Sequence, residues 1–472
     1  MPSLYTQTLQ YLYGLERLGI RMGLERIRTI LRVLDNPQNG FPIIHIGGTN
    51  GKGSTAAILS SILAKAGYKV GLYTSPHLER FTERIKVNDR EIPRKRVVEL
   101  VERVIERGQG VKGSRGRVNT LEPSNPRTLE PSFFEFVTAM AFLYFSEEGI
   151  DIAVVEVGLG GRLDATNVGK PISSIITNVT KEHEDILGKG LASIAREKAG
   201  IIRRGGVLIT TEKKTRVVKI LEEICQEKRA TLYRLGKEFW IESAKGGFSF
   251  YGRRWEIKGL ETNLLGSHQW VNVAAALAAL EVVSERGYPV TEETIRKGLK
   301  GVHWPGRLEV VSRNPLIVLD CAHNPGGARV LRETLLDLGI RNYDLRFKIS
   351  NSKSQIDGRK SKITNHKSQK RLFLILGMMA DKDIKGFASI LAPLAYRVIL
   401  TVPRTPRAAP LRHLLQKVGP YAKRVEAIDE VGRACRFAIK NARMDDLICV
   451  TGSIFTVGEG RGFLLQNYTA LT

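Results

Sequence analysis

A lysine and several hydroxyls set among glycines, Gly47-Gly-Thr-Asn-Gly-Lys-Gly-Ser-Thr55, follow the apolar run Phe41-Pro-Ile-Ile-His-Ile46. Residues of these types in this order suit the phosphates of a nucleoside triphosphate. The glycines let backbone amides close on an anion, Lys52 supplies a mobile cation, and Ser54 is placed to ligate magnesium. The helical pattern from Ser54 to Ala66, stopping at Gly67, would aim its first amides and the positive end of its dipole at phosphate oxygens. The run departs from a Walker A loop, because Gly53 separates Lys52 from the hydroxyl residue and no glycine stands five places before Gly51. A plain strand-to-helix turn is the competing reading. The order strand, glycines, lysine, hydroxyl, helix favours phosphate.

Further groups with chemical capacity stand at the ends of other apolar runs. Glu156 lies near the end of Ile152-Ala-Val-Val-Glu-Val157, ahead of Gly158-Leu-Gly-Gly-Arg-Leu-Asp-Ala-Thr-Asn167. A carboxylate buried there needs a cation or strong donors, so Glu156 is a candidate magnesium partner, with an ion pair to Arg162 as the alternative. His183 follows the run Ser174–Val179, and Lys198 sits in Arg196-Glu-Lys-Ala-Gly200; taken alone, each reads as an ordinary solvated or structural residue. Leu319-Asp-Cys-Ala-His-Asn-Pro-Gly327 gathers Asp320, His323 and Asn324 before a helix, a cluster able to hold a ribose or phosphate. Cys321 with His323 raises a thiol nucleophile, although two residues apart at a strand end they need not face each other.

These residues require a scaffold of alternating strands and helices. Short β-branched runs at 69–73, 152–157, 174–179, 207–211, 316–320, 372–377, 397–402 and 447–451 alternate with helical patterns, the rhythm of α/β folding, whose ligands sit beyond the carboxyl ends of the strands. The expected fold is a P-loop parallel-sheet ATPase domain over 1–303 followed by a smaller Rossmann-like α/β domain over 304–472, joined near His303-Trp-Pro-Gly-Arg307. A length of 472 residues accommodates two cores.

The formal charge of +25 raises nucleic acid as a partner, but its distribution argues against one. Arg346–Arg371 holds nine Lys/Arg against one acid, and Arg107–Arg127 five against one. Both are rich in small polar residues and read as flexible basic insertions, over about 107–131 and 344–371, rather than as a binding face. The scattered Cys225, Cys321, Cys435 and Cys449 form no C-x-x-C pair, and the first ten residues lack the pattern of a secretory leader. No membrane span is expected, and a reducing cytoplasm fits.

Taken in order, His45–Thr55, Thr74-Ser-Pro-His-Leu78, Glu83-Arg-Ile-Lys-Val-Asn88, Glu156–Val168, His183–Gly188, Arg196–Ile201, Gly266-Ser-His-Gln-Trp-Val-Asn272, Pro305-Gly-Arg307, Leu319–Gly327 and Val450-Thr-Gly-Ser453 resemble the folylpolyglutamate synthase and dihydrofolate synthase family of the Mur ligase superfamily. The resemblance spans nearly the whole chain apart from the two basic segments. It implies an ATP-dependent amide ligase that joins L-glutamate to a pteroate or folate carboxylate through an acyl phosphate, with two Mg2+ ions. It further implies that Thr49, Asn50, Gly51, Lys52, Gly53, Ser54 and Thr55 hold the phosphates, and that Asn272, Arg307 and Asp320 contact the nucleotide. Ser54 and Glu156 become ligands of one metal; His183 serves a second, together with a carbamylated Lys198. Ser75, Pro76, His77 and Arg84, with Gly160, Arg162 and Asp164, fall where the family binds its pterin substrate, and His323 and Ser453 near the glutamate site. Lys52, Lys198, His183 and His323 form the catalytic set.

Two departures from the family pattern stand out, Glu182-His183 in place of Asp-His and Cys321 in place of a glycine. Small-molecule substrates and a monomer are expected. The alternatives are a Mur-type ligase adding amino acids to a UDP-muramyl peptide, against which Ser75-Pro-His-Leu78 and Gly158–Asp164 argue, and a P-loop protein that binds nucleic acid.

Overall fold

The computed structural model describes residues 2–19, 21–109, 130–244, 246–339 and 370–468. The core of both expected basic insertions lies outside the described residues. The chain divides into two compact units, Met1–Trp304 and Pro305–Thr472.

In the first unit eight strands form one sheet: β1 (Ile43–Gly47), β2 (Val70–Tyr73), β3 (Ile85–Val87), β4 (Arg90–Glu91), β5 (Ile152–Glu156), β6 (Pro171–Ile176), β7 (Val207–Thr210) and β8 (Thr231–Arg234). Their order is β4-β3-β2-β5-β1-β6-β7-β8, with all strands in one direction except β3, which pairs antiparallel with β2 and with the edge strand β4. β1 lies at the centre, so both faces are covered. Ile44 and Ile46 pack with Leu72 and Val154 under the helices Lys52–Lys65 and His268–Glu285. Ile43 packs on the opposite face with Tyr73, Ala153 and Val155 against the helix Phe133–Glu147. This period of two along a strand is what makes the parallel strands apolar throughout.

A separate antiparallel sheet, β9 (Trp240–Ala244), β10 (Gly247–Tyr251) and β11 (Glu256–Leu260), was not expected from the sequence. Its β10–β11 turn is held by Glu281, a buried carboxylate that accepts from the amides of Arg253, Arg254 and Trp255 at 3.1, 2.9 and 2.8 Å.

The second unit carries β12 (Glu309–Arg313), β13 (Leu316–Leu319), β14 (Leu372–Leu376), β15 (Arg397–Leu400), β16 (Val425–Ala427) and β17 (Leu447–Thr451) in the order β12-β13-β17-β14-β15-β16. β12 is antiparallel to its neighbour and the rest are parallel, as expected for a Rossmann-like α/β domain. The four cysteines are buried and form no disulfide. No helix among the described residues is long and apolar enough to cross a membrane.

The strand expected over 174–179 differs from the sequence reading in its bounds. It is β6, which starts at Pro171 and ends at Ile176. Proline suits a strand's first residue, where its missing N–H costs no ladder bond. The polar Thr177 and Asn178 leave the ladder because they bond to the glycine-rich loop instead.

Candidate active site

The glycine-rich loop runs from Gly47, at the carboxyl end of β1, into the helix Lys52–Lys65, one turn or less away from its expected bounds. Its course is imposed by close approach. Gly48 has φ +132°, and a Cβ there would lie 1.9 Å from Thr177 Oγ1; Gly51 has φ +88°, and a Cβ would lie 2.5 Å from Asn272 Oδ1. At Gly53 a Cβ would meet the Trp304 ring at 3.1 Å, which accounts for the glycine that separates Lys52 from Ser54.

Asn178 ties down the other side of the loop. Its Oδ1 accepts from Asn50 N at 3.0 Å, its carbonyl accepts from Thr49 N at 2.8 Å, and its Nδ2 donates to Asn50 O at 3.0 Å. Thr177 Oγ1 also donates to Asn50 O, at 2.7 Å. Sequence reasoning missed Thr177 and Asn178; the signal available was a polar pair closing an apolar strand beside the loop. The helix begins without a side-chain cap, so its first turn, Lys52 to Thr55, presents amides suited to an anion. Ser54 and Thr55 are buried in that turn.

Lys52 Nζ donates to the carbonyls of Gly48 and Thr49 at 3.1 and 3.2 Å and lies 3.9 Å from Glu156 Oε1. Glu156 is the last residue of β5, paired with Ile46 of β1, and only 6% exposed. Its Oε2 accepts from the amide of Ser75 at 3.2 Å, which brings the segment after β2 to the same point. The expected alternative partner, Arg162, is instead paired with Glu197, through Nε at 3.0 Å and Nη2 at 2.8 Å.

The segment after β6 joins this centre through Thr180, whose amide donates to Thr49 Oγ1 at 3.0 Å. Glu182 follows, and its Oε1 accepts from Lys198 Nζ at 2.8 Å. Lys198, 2% exposed on the helix Gly190–Ala199, also donates to Gly48 O at 2.9 Å. Burial lowers the Lys198 pKa, opposed by Glu182 and reinforced by Lys52. Burial would raise the Glu182 carboxyl, but Lys198 and Lys52 together hold it below its ordinary range. His183 stands half-buried at the start of the short helix Glu184–Leu187 in the left-handed conformation, φ +49°.

The loop after β5 closes on this helix. Gly160 faces Leu187, and Gly161 comes so near that a Cβ would lie 2.8 Å from Lys198 O. Asp164 organises the loop from within: it accepts from Leu159 N, Thr166 N and Thr166 Oγ1 at 2.8, 3.0 and 2.5 Å. Burial raises its pKa. After β2, His77 Nδ1 accepts from Arg84 Nε at 2.8 Å, while Pro76 is exposed.

In the second unit, Asp320 follows β13 and accepts from Leu308 N at 3.1 Å and Ala322 N at 2.9 Å. Burial raises its pKa, with Arg307 pulling it down. His323 Nδ1 bonds the carbonyl oxygen of Cys321 at 2.9 Å, so this nitrogen faces backbone rather than thiol. The neighbouring strand end contributes Gly452, whose amide donates to Ala322 O at 3.0 Å, and Ser453, whose Oγ accepts from Thr456 N at 3.1 Å. Asn324 caps the helix Pro325–Asp337 through Gly327 N at 2.8 Å.

The donor set fits a small hard cation. Among the described residues no three His, Cys, Asp or Glu gather into a cage. One carboxylate and one hydroxyl beside a phosphate-binding turn are the protein's usual share for Mg2+, which takes its other oxygens from phosphates and water.

A parallel sheet with a glycine-rich loop at its centre and a lysine–carboxylate pair beside it is the frame of a nucleotide-dependent α/β enzyme, and the family models narrow it to the Mur ligases. Residues 97–280 match the family model for the Mur ligase middle domain, and residues 361–454 that for the Mur ligase, glutamate ligase domain. The chain is 32% identical over 468 residues to folylpolyglutamate synthase of Lacticaseibacillus casei, covering 98% of this chain and 99% of the relative. It therefore belongs to the folylpolyglutamate synthase/dihydrofolate synthase family. The structure of Escherichia coli FolC in complex with DHPP and ADP matches with a TM-score of 0.81 at 30% identity, covering 99% of this chain and all of that one. The bifunctional Yersinia pestis enzyme complexed with AMPPNP and Mn ion matches with a TM-score of 0.80 at 29% identity, over 98% of this chain and 100% of that one.

Proposed function

We propose that this protein is an ATP-dependent amide ligase that joins L-glutamate to a pteroate or folate carboxylate through an acyl phosphate. The observation that carries the reading is the placement of Lys52 Nζ between the loop carbonyls and Glu156, 3.9 Å away, within a chain aligned to the folate ligases along almost its entire length. The substrate carboxylate attacks the γ-phosphate of ATP and ADP leaves as the bond to its bridging oxygen breaks; the glutamate amine then displaces phosphate from the acyl phosphate and gives up its proton as the amide forms, while the protein positions reactants and offsets charge.

In this reading Thr49 to Thr55 cradle the phosphates and Asn272, Arg307 and Asp320 bind the nucleotide. Ser54 and Glu156 hold Mg2+, and His183 with a carbamylated Lys198 holds a second. Magnesium, when bound, neutralises phosphate charge. Ser75, Pro76, His77, Arg84, Gly160, Arg162 and Asp164 form the pterin side, and His323 and Ser453 the glutamate side. A monomer in the cytoplasm completes the proposal. Its support in this structure is the convergence of Ser75, Glu156, Lys52, Lys198 and Glu182 around the glycine-rich loop.

The test is glutamate-dependent phosphate release from ATP with dihydropteroate and, in parallel, a reduced monoglutamyl folate. Turnover with dihydropteroate alone marks a dihydrofolate synthase, with folate alone a folylpolyglutamate synthase, and with both a bifunctional enzyme. Silence with both overturns the reading.

A further inference from the structure

Arg84 ends the short turn of helix Phe81–Arg84 between β2 and β3 and is only 7% exposed. Its guanidinium lies over the Phe133 ring, 5.2 Å from the centroid, and Nε donates to Nδ1 of His77 at 2.8 Å. Among the described residues this is the side chain's one hydrogen bond, and no carboxylate stands within ion-pair distance. Glu16 and Glu156 act on it only through space, and burial disfavours its charge.

Buried cations in folded proteins are normally paired, because desolvating a lone charge is costly. Arginine carries five N–H donors, and with Nε engaged the four on Nη1 and Nη2 await a group that the described residues do not supply. The imidazole sets which edge is open. Arginine has no acceptor and keeps its proton, so His77 Nδ1 must accept and the neutral ring carries its proton on Nε2. Burial, with Arg84 beside it, pushes the His77 pKa down to about 3, in keeping with that neutral form. With Nε held, the Nη1/Nη2 edge is left uncommitted among the described residues, and its two parallel N–H groups match the two oxygens of a carboxylate.

The surroundings are aromatic. Phe133 stacks on Tyr13, with centroids 5.8 Å apart, and meets Phe81 at 6.4 Å. The reaction centre is close along the chain: Ser75, two residues before His77, donates its amide to Glu156.

We propose that Arg84 is a carboxylate clamp, its Nη1/Nη2 edge receiving a carboxylate of the acyl substrate while the neutral His77 imidazole holds the fork in place. The identity of the substrate rests on the folate-ligase reading; the class of ligand rests on the guanidinium itself. Arg84 is the binding residue and His77 a positioning residue.

The experiment titrates dihydropteroate and its primary carboxamide into the full chain, as wild type and as Arg84→Gln, Arg84→Lys, His77→Asn and His77→Ala, with ADP affinity as the control for folding. The wild type should prefer the acid, and Arg84→Gln should lose about 30-fold in acid affinity while carboxamide affinity holds. Arg84→Lys should recover part of the loss. His77→Asn, which keeps an acceptor where Nδ1 stood, should bind the acid more tightly than His77→Ala. Equal losses on acid and carboxamide would mean that Arg84 reads the ring system, and the clamp is then wrong. A wild type without preference for the acid overturns it as well, and this arm stands even if Arg84→Gln fails to fold. Arg84-dependent preference for the acid in a protein without glutamate-dependent turnover would retain the clamp and discard the folate-ligase reading.

Discussion

Lys52 and Lys198 donate to the same oxygen: the carbonyl of Gly48 lies 3.1 Å from one Nζ and 2.9 Å from the other. Two ammonium groups so placed repel, and the Lys52 charge adds to burial in favouring loss of the Lys198 proton, against the pull of Glu182. Lys198 is the more deeply buried and is the one whose pKa burial lowers. A neutral amine is the form that can take up CO2, so this pairing favours a carbamate at Lys198.

Wild-type protein equilibrated with 13C-bicarbonate should therefore give a carbamate carbon resonance that is missing from Lys198→Ala. Lys198→Ala should lose most glutamate-dependent phosphate release and regain part of it when a short carboxylate is added. Full activity in Lys198→Ala, or no resonance in the wild type, sinks the carbamate.

Lys52→Ala and Glu156→Gln should each lower phosphate release by about 10³-fold, the scale of removing a group that meets developing charge. Circular dichroism and the thermal midpoint would establish whether each variant remains folded. Wild-type turnover in either one removes the proposed phosphate site.

Gly51→Ala should weaken nucleotide binding more than Gly67→Ala, although both glycines have positive φ, +88° and +96°. At Gly67 a Cβ meets open space, whereas at Gly51 it meets Asn272 Oδ1 at 2.5 Å. The two share a backbone strain of roughly 1 kcal/mol for alanine and differ in the clash. Comparing ADP affinities isolates that difference, and equal affinities would argue against Asn272 as a wall of the loop.

His45 gives stability a pH dependence. Thr166 donates its one hydroxyl proton to Asp164 Oδ1 at 2.5 Å, so at 2.8 Å it accepts from His45 Nε2. Burial, aided by Arg203, pushes the His45 pKa down to about 3. Between that value and the unfolded one near 6.5 the unfolded chain binds the extra proton, so stability should fall as pH drops through this window, by up to about 1.4 kcal/mol per pH unit. Denaturant melts at pH 4 to 7 should be shallower in pH for His45→Gln. An unchanged slope would mean that His45 is not the group responsible.

The architecture was readable because it rests on local signals. The apolar runs of β1, β5 and β17, and the glycines and Lys52 after β1, carry their meaning in adjacent residues. What escaped depends on contacts between distant positions. Thr177 and Asn178 look like the continuation of a strand until Asn50, more than 120 residues earlier, claims their hydrogen bonds. By its own neighbours Lys198 reads as a surface helix lysine, and only the ordered set of family motifs put it in the catalytic set; its burial rests on the distant Glu182 and Gly48. Gly53 looks like an error in a motif until Trp304 is seen against it. The sheet β9–β11 was missed because its short strands carry polar residues on an exposed face, as in Trp240–Ala244.

The helix Lys52–Lys65 is enclosed on all sides, with every residue from Ser54 to Leu63 buried. Its first amides are thus fixed when the unit folds, and little ordering remains for the arrival of a phosphate. Affinity and heat resistance become two readings of one equilibrium: nucleotide at a hundred times its Kd should add about 2.7 kcal/mol to unfolding. Core substitutions beneath this helix, far from any ligand, should then lower the thermal midpoint while the increment added by nucleotide stays the same, and a smaller increment would show that the first turn itself had been loosened.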